Sequence, residues 1–558
     1  MADENNPDLQ KKLLEINRAG EERSAERVAK ATGFTYLDLR KTPAAIEAVM
    51  LVPEEKARGA KVVAIELRIK DLALAVVDSD SPEVQEVVKD LEAQGYKVKI
   101  FISSLSGIEQ VWHLYKFVSH SAKEITGKVS IGKERLEGLL RELTTLKGVQ
   151  GEIGKFDFKK LDTAGLFEVV LAGALANRAS DIHFEAEEKD ARVRYRIDGF
   201  LHDVFSGLPI RNYGALVSRV KLLSGLKINV RGEAQDGRFT VGLTAKEIEM
   251  RVSIIPSEFG ETIVMRVLDP DSINIELAGL GLRKDNLEIV ERELTKPNGL
   301  ILNTGPTGSG KTTTLYAFLR HVNSPDIKII TVEDPIEYHL RGVEQTQVDS
   351  DTGYTFASGL RSILRQDPDV ILVGEIRDLE TADIAMQAAL TGHLVFSTLH
   401  TNDAIGAVPR LVDLGVKVTS VGPALSLVIA QRLVRKLCPD CKKPAEIPAE
   451  LMERIKKFLD KLPARVDKNE YAKPSLYEPG ACSLCNETGY RGRTAIYEFL
   501  EAGPEFEQVI LKEASEVALK ALADREQMIT MQEDGILKVL LGQTTLKEVE
   551  STTGPLSW

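Results

Sequence analysis

Gly299 to Leu319 reads GLILNTGPTGSGKTTTLYAFL, and this stretch decides the fold. Leu300, Ile301 and Leu302 form a short apolar run of the kind that lies buried in a parallel sheet, and Leu315 to Leu319 opens an apolar helical pattern. Between them the residues fit G-x-x-x-x-G-K-[ST] in the strand, loop, helix context that the pattern requires. Glycines at 305, 308 and 310 let the chain curl tightly enough for successive N–H groups to face phosphate oxygens, with the positive end of the following helix behind them. The candidate nucleotide cradle is Gly305, Pro306, Thr307, Gly308, Ser309, Gly310, Lys311, Thr312 and Thr313. Lys311 is placed to bridge the β and γ phosphates of ATP, and Thr312 to ligate magnesium.

Outward from this loop, apolar runs alternate with helical patterns beyond Leu282, as in a parallel sheet covered on both sides. Candidate strands are Leu300 to Asn303, Lys328 to Val332, Val370 to Val373 and Leu394 to Thr398, each ending in polar residues. Ligands of such sheets bind beyond the strands' carboxyl ends. The second strand ends in Glu333-Asp334 and the third in Gly374-Glu375. Phosphoanhydride hydrolysis needs a magnesium shell and a carboxylate that orients an in-line water, and the two termini supply both with the roles left open. His393 and His400 bracket the fourth strand in TGHLVFSTLHTND and are read as a pair that senses the γ-phosphate and relays its loss.

All the cysteines of the chain fall in two C-x-x-C knuckles, Cys438 with Cys441 and Cys482 with Cys485. Their separation exceeds that of an ordinary zinc ribbon, so a helical insertion such as Leu451 to Leu462 is expected between them. Four thiolates make a closed structural zinc site with no open catalytic position.

Towards the amino terminus, residues 156–270 read as a middle domain bounded by a hinge at 271–281. Leu166, Val169, Val170, Gly173 and Ala174 give one buried helical face. Strands are expected at Ser180 to Glu185, Ala191 to Gly199, Glu249 to Ile255 and Thr262 to Leu268. In the second of these Val193, Tyr195 and Ile197 alternate with Arg192, Arg194 and Arg196, which sets three guanidinium groups on one face. Residues 118–155 read as a polar linker carrying one charged helix around Glu134 to Leu146. Residues 32–117 alternate short strands with helices as a small α/β domain. One of its helices is opened by Ser81-Pro82-Glu83, with the serine supplying a cap oxygen. Residues 1–31 form a charged, solvated helix with a narrow apolar stripe at Leu13, Leu14 and Ile16.

The totals agree with a soluble, multidomain chain. A length of 558 residues implies three or four domains, and 72 basic against 84 acidic residues give a net charge of −12, the wrong sign for a protein that lives on nucleic acid or anionic lipid. No run of eighteen apolar residues occurs and the amino terminus is polar and acidic, so neither a membrane span nor a signal peptide is expected, and the chain is placed in the cytoplasm.

GPTGSGKTTTLY, TVEDPIEY, RQDPDVILVGEIRD, TGHLVFSTLHTNDA, RLVRKLCPDC and CNETGYRGRTAIYE together resemble the secretion ATPases of type II secretion and type IV pilus assembly, from about Leu161 to Val549. The resemblance implies an α/β fold: a RecA-like P-loop ATPase domain over 282–558, with a tetracysteine zinc subdomain at 436–492 and carboxy-terminal helices at 503–550. It further implies a PAS-like α+β middle domain and a small amino-terminal α/β docking domain. By the same likeness Glu333 of the aspartate box is the general base, Glu375 closes the Walker B segment, and His393 and His400 form the histidine box. Arg194, Arg196, Arg211 and Arg219 are candidate arginine fingers among which the sequence does not choose. The implied assembly is a homo-hexamer that acts on pilin or pseudopilin indirectly. It would sit at the inner membrane through a platform protein and a cytoplasmic membrane-associated adaptor. Retraction motors of type IV pili share these boxes but lack the amino-terminal domain and the knuckles, so extension or secretion is favoured over retraction; pilus assembly is the expected function and type II secretion the alternative.

The opening repeat with which some relatives bind cyclic di-GMP is not legible in LLEINRA (Leu13 to Ala19), and that ligand is not expected. A DNA-transfer ATPase of related fold is disfavoured by the acidic balance, so no nucleic acid partner is expected.

Overall fold

The computed structural model describes residues 7–68, 70–115, 128–129, 133–160, 162–272 and 275–557. The chain divides into two compact units, Met1–Val267 and Leu268–Trp558.

The first unit carries two sheets. Near the amino terminus, Thr35–Tyr36, Lys97–Ile102, Asp71–Val76 and Val62–Arg68 pair in that order, with parallel pairing except at the last hairpin. Helix Pro7–Thr32 is not wholly solvated: Ala25 and Ala29, one turn apart and small enough for close approach, are buried in this domain's core. The Glu22 carboxylate anchors the helix by accepting from Tyr36 Oη at 2.5 Å and Ser104 Oγ at 2.8 Å. The side chains of Leu13, Leu14 and Ile16 lie outside the described residues. Helix Pro82–Ala93 begins where expected, but Ser81 Oγ donates to Glu83 at 2.5 Å instead of capping a backbone amide. Asn229 ties this domain to the next by donating from Nδ2 to the carbonyls of Leu39 at 2.7 Å and Thr42 at 2.5 Å.

The second sheet has seven strands, in the order Lys128–Val129, Gln235–Gly242, Glu247–Ser257, Gly260–Leu268, Asp181–Ala186, Asp190–Ile197 and Phe200–Pro209. Helix Thr163–Ala176 is buried all round, including Phe167 and Leu171, and does not present the single face that its spacing suggested. Gly173 permits this, because a Cβ there would stand 2.6 Å from Val149. Of the segment read as a linker, residues 133–153 form helices Lys133–Glu142 and Leu146–Ile153, whose Leu136, Val149 and Ile153 share the middle core. Residues 118–127 and 130–132 of that segment lie outside the described residues.

In the second unit a seven-stranded sheet runs Glu344–Gln347, Ile329–Glu333, Val370–Val373, Leu394–Leu399, Gly299–Thr304, Leu425–Leu437, Tyr490–Glu501. Every pairing is parallel except the last. Leu300 and Leu302 face one helical layer while Ile301 faces the other, which is why this strand is apolar at every step. Of the expected hinge, Leu277 and Leu280 are buried in the same core as the loop helix, so its second half belongs to the ATPase unit; residues 273–274 lie outside the described ones. Among the described residues no helix is long and apolar enough to cross a membrane.

Candidate active site

The strand Gly299–Thr304 delivers the loop, and helix Lys311–Val322 leaves it with its amino terminus aimed back across the glycines. Pro306, Thr307 and Gly308 are exposed, Ser309 is buried, and Thr312 lies exposed on the helix's first turn, where its hydroxyl fits a magnesium ligand. Lys311 Nζ donates to the carbonyls of Gly305 at 2.8 Å and Pro306 at 3.1 Å. Burial pushes this ammonium below the usual lysine range, with the charge of Glu375 opposing the shift.

Parallel registers bring the other strand ends alongside. Val332 pairs with Val373, Val373 with Ser397, and Leu399 with Thr304. Thr398 Oγ1 donates to the Gly374 carbonyl at 2.8 Å, and Thr401 Oγ1 lies 2.7 Å from Thr304 Oγ1, so the segment after the fourth strand is stitched to both the acidic turn and the loop.

The two glutamates occupy different surroundings. Glu333 is 4% exposed, and both of its oxygens accept hydrogen bonds: Tyr316 Oη at 2.5 Å, Thr331 Oγ1 at 2.6 Å and Gln345 Nε2 at 3.1 Å. Burial and the Glu333 charge drive the Tyr316 hydroxyl well above its ordinary range, so it stays a donor. Glu375 is 16% exposed and contacts Arg377, and His400 Nε2 lies 3.4 Å from its other oxygen. Arg377 also reaches Asp334 at 3.7 Å. Glu333 is thus enclosed by neutral donors, whereas Glu375 is the more exposed of the two and faces charged or titratable partners. Glu333 ties the aspartate-box strand to the loop helix.

The histidines separate as well. His400 follows the strand and meets Glu375, whereas His393 precedes it, with Nδ1 3.0 Å from the Ala388 carbonyl and its own carbonyl accepting from Gly299 N at 3.2 Å. The strand between them spans about 20 Å at ~3.3 Å per residue, so the two histidines bracket it as expected, with His400 at the loop's end of the strand and His393 at the opposite end.

In the middle domain the basic strand face is neutralised by its neighbour. Arg192 donates to Glu185 at 2.9 Å, Arg194 contacts the same carboxylate, and Arg196 lies 3.5 Å from Asp181, across the antiparallel pair. Arg211 is exposed and Arg219 half-buried on helix Ile210–Leu223. Alternation in the sequence placed the arginines correctly; the facing carboxylates, in a strand ahead of them, carried the missing signal.

The four thiols converge. Sγ atoms lie 3.8 Å apart for Cys438 and Cys482, 3.8 Å for Cys441 and Cys485, and 3.6 Å for Cys482 and Cys485, all four within 4.8 Å of one another. Tetrahedral zinc with sulfur at ~2.3 Å requires edges of about 3.8 Å, so the residues fit that ion. Gly489 N donates to Cys485 Sγ at 3.3 Å, the kind of contact that stabilises a metal thiolate. Helix Ala449–Lys461 fills the insertion, packing Ile455 and Phe458 against Ile536 and Leu540. Metal analysis of the purified chain is expected to give about one zinc per chain, falling to near zero in Cys441→Ser. Stoichiometric zinc surviving that change would show that the four thiols are not the site.

Residues 162–551 match the family described as type II/IV secretion system protein. The type IV pilus assembly ATPase PilB of Myxococcus xanthus is 38% identical over 549 residues, covering 97% of this chain and 93% of that protein. The type II secretion system protein E of Aeromonas hydrophila is 46% identical over 389 residues, covering 70% of this chain and 75% of that protein. Among solved structures, the ATPase DotB of Yersinia pseudotuberculosis matches with a TM-score of 0.51 at 21% identity, over 70% of this chain and 93% of that one, a likeness of fold.

Proposed function

This chain belongs to the type II/IV secretion system protein family, a family of secretion ATPases, and from that premise we propose that it hydrolyses ATP to power pilin polymerisation in type IV pilus assembly. The observation that carries the choice of system is coverage. The likeness to the pilus assembly ATPase extends over 97% of the chain and so includes the amino-terminal domain, whereas the likeness to the secretion protein E covers 70%. Type II secretion is the second reading, supported by the higher identity within the shared region.

In this reading the residues Gly305 to Thr313 bind the triphosphate, with Lys311 leaving the Gly305 and Pro306 carbonyls to meet the β and γ oxygens. Thr312 would hold magnesium, which would supply charge neutralisation at the phosphates. Glu375 takes the proton of the attacking water, Arg377 and His400 hold that carboxylate, and Glu333 keeps the aspartate box fixed to the loop helix. Cys438, Cys441, Cys482 and Cys485 would hold zinc in a closed shell of four thiolates, in a structural role alone. A homo-hexamer would let a middle-domain arginine act on a neighbour's nucleotide; Arg194 and Arg196 would first have to leave Glu185 and Asp181, which Arg211 need not do. Docking through an adaptor and a platform protein would place the motor at the cytoplasmic face of the inner membrane.

Lys311→Ala tests the proposal. It is expected to lower ATP turnover by at least about 10²-fold and to abolish surface pili in the cells that carry it. Undiminished turnover would overturn the ATP site, and loss of protein export with pili intact would replace the pilus reading by the secretion one.

A further inference from the structure

We propose that Gln431, on the strand beside the phosphate loop, is a positioning residue that sets the loop's curvature for nucleotide; this rests on reading the loop as an ATP site. Strand Leu425–Leu437 runs parallel to Gly299–Thr304, and Thr304 pairs with Ala430, so Gln431 comes level with Gly305 where the loop departs. Its side chain is 2% exposed, and its one oxygen accepts from two donors: Asn303 Nδ2 at 3.0 Å and Thr314 Oγ1 at 2.8 Å. Asn303 precedes the loop and Thr314 follows it, so a single amide oxygen pins the chain on both sides of the glycines.

The body of Gln431 also fixes how close the loop lies. A Cβ on Gly305 would stand 2.4 Å from the Gln431 carbonyl oxygen, and a Cβ on Gly310 would stand 2.8 Å from Gln431 Nε2. Both glycines have positive φ, 145° and 91°, so the loop wraps over this residue in a path only glycine follows without strain. A cradle of backbone N–H groups binds phosphate well only if those groups are already aimed, since aiming them during binding costs affinity. Gln431 does that aiming from the strand beside the loop. It touches no substrate, and its effect passes through Asn303, Thr314 and the two glycines.

Gln431→Leu removes the shared acceptor and leaves two buried donors unpaired. In the full chain, calorimetric titration with magnesium ADP should show affinity weakened about tenfold or more, while kcat at saturating ATP stays within about threefold, because the loop still reaches the same bound geometry once filled. A structural role alone would also lower stability, so a second variant separates the two. Asn303→Leu and Thr314→Val added to Gln431→Leu delete the stranded donors and are expected to restore the melting temperature without restoring ADP affinity. Affinity that returns together with stability, or an unchanged affinity in Gln431→Leu, overturns the positioning role. Wild type and Lys311→Ala are titrated alongside. Wild type that fails to bind would overturn the ATP site and this inference together, whereas wild type that binds and Lys311→Ala that does not would confine a failure to Gln431.

Discussion

Glu375→Gln is expected to lower ATP turnover by about 10² to 10⁴-fold, the range that loss of a general base produces, with nucleotide affinity within about threefold of wild type. Glutamine keeps the shape of the side chain and a hydrogen-bond acceptor, so the phosphate cradle around Lys311 stays in place while the proton acceptor is lost. Glu333→Gln should behave differently. Tyr316, Thr331 and Gln345 all donate to Glu333, and an amide NH₂ in place of one oxygen would face a donor with a donor. Its damage should therefore appear in melting temperature and nucleotide affinity as well as in turnover, because the strand Ile329–Glu333 loses its tie to the loop helix. The pair of variants, measured by steady-state turnover, ADP titration and thermal unfolding, decides the matter. If Glu333→Gln stops turnover with affinity and melting unchanged, and Glu375→Gln keeps more than about a tenth of the activity, then Glu333 is the base and the assignment drawn from its surroundings fails.

Asp534→Ala is expected to be among the most destabilising single changes in the ATPase unit, by about 3–5 kcal/mol. Asp534 is fully buried between two cations, with Arg283 Nη1 at 2.5 Å and Lys538 Nζ at 2.7 Å, and it also accepts from the Tyr497 amide at 2.9 Å. The cluster joins the first helix of the unit, the last strand of the sheet and helix Met531–Leu540. Burial alone would raise this carboxyl, but the charges of Lys538 and Arg283 and the hydrogen bonds it accepts outweigh that and hold it below the usual range. Its contribution is thus present above the unfolded carboxylate value of about 3.9 and is lost as pH falls through the lower folded value. Removing the anion strands the buried Lys538 and takes one of its two carboxylate partners from Arg283. Asp534→Leu combined with Lys538→Met should cost less than Asp534→Ala, since Arg283 keeps its pair with Asp285 at 2.9 Å. Urea midpoints of the three chains test this, and a double variant no more stable than Asp534→Ala would refute the charge argument.

Much of this was legible without coordinates. Gly305 to Thr314 announced a phosphate loop because the pattern is local: glycine spacing, a preceding apolar run and a following helix are all set within some twenty residues of one another. The acidic strand ends at Glu333 and Glu375 followed from the direction of the strands, and the convergence of the four thiols from the repeated C-x-x-C spacing. Three strands of the ATPase sheet escaped. Glu344–Gln347 is a short polar edge strand, while Leu425–Leu437 and Tyr490–Glu501 interleave charged and polar residues with apolar ones and read ambiguously. Helix Thr163–Ala176 was misjudged because its spacing marks one apolar face and does not reveal that the opposite face is covered too.

The residue types needed to grip a triphosphate and to hold a tetrathiolate metal were determined by the sequence alone, since each group is defined by neighbours along the chain. Which carboxylate is accessible, which histidine reaches it, which arginines are already paired and what braces the loop were decided only by tertiary structure. These depend on contacts between distant segments, such as Thr314 and Gln431, 117 residues apart. The direction of a parallel strand is what sends His400 to the loop's end of the sheet and His393 to the opposite end, and a strand pair across the middle sheet is what neutralises Arg194. Spacing along a chain names the chemical groups, but burial and registry between strands settle which of them meet.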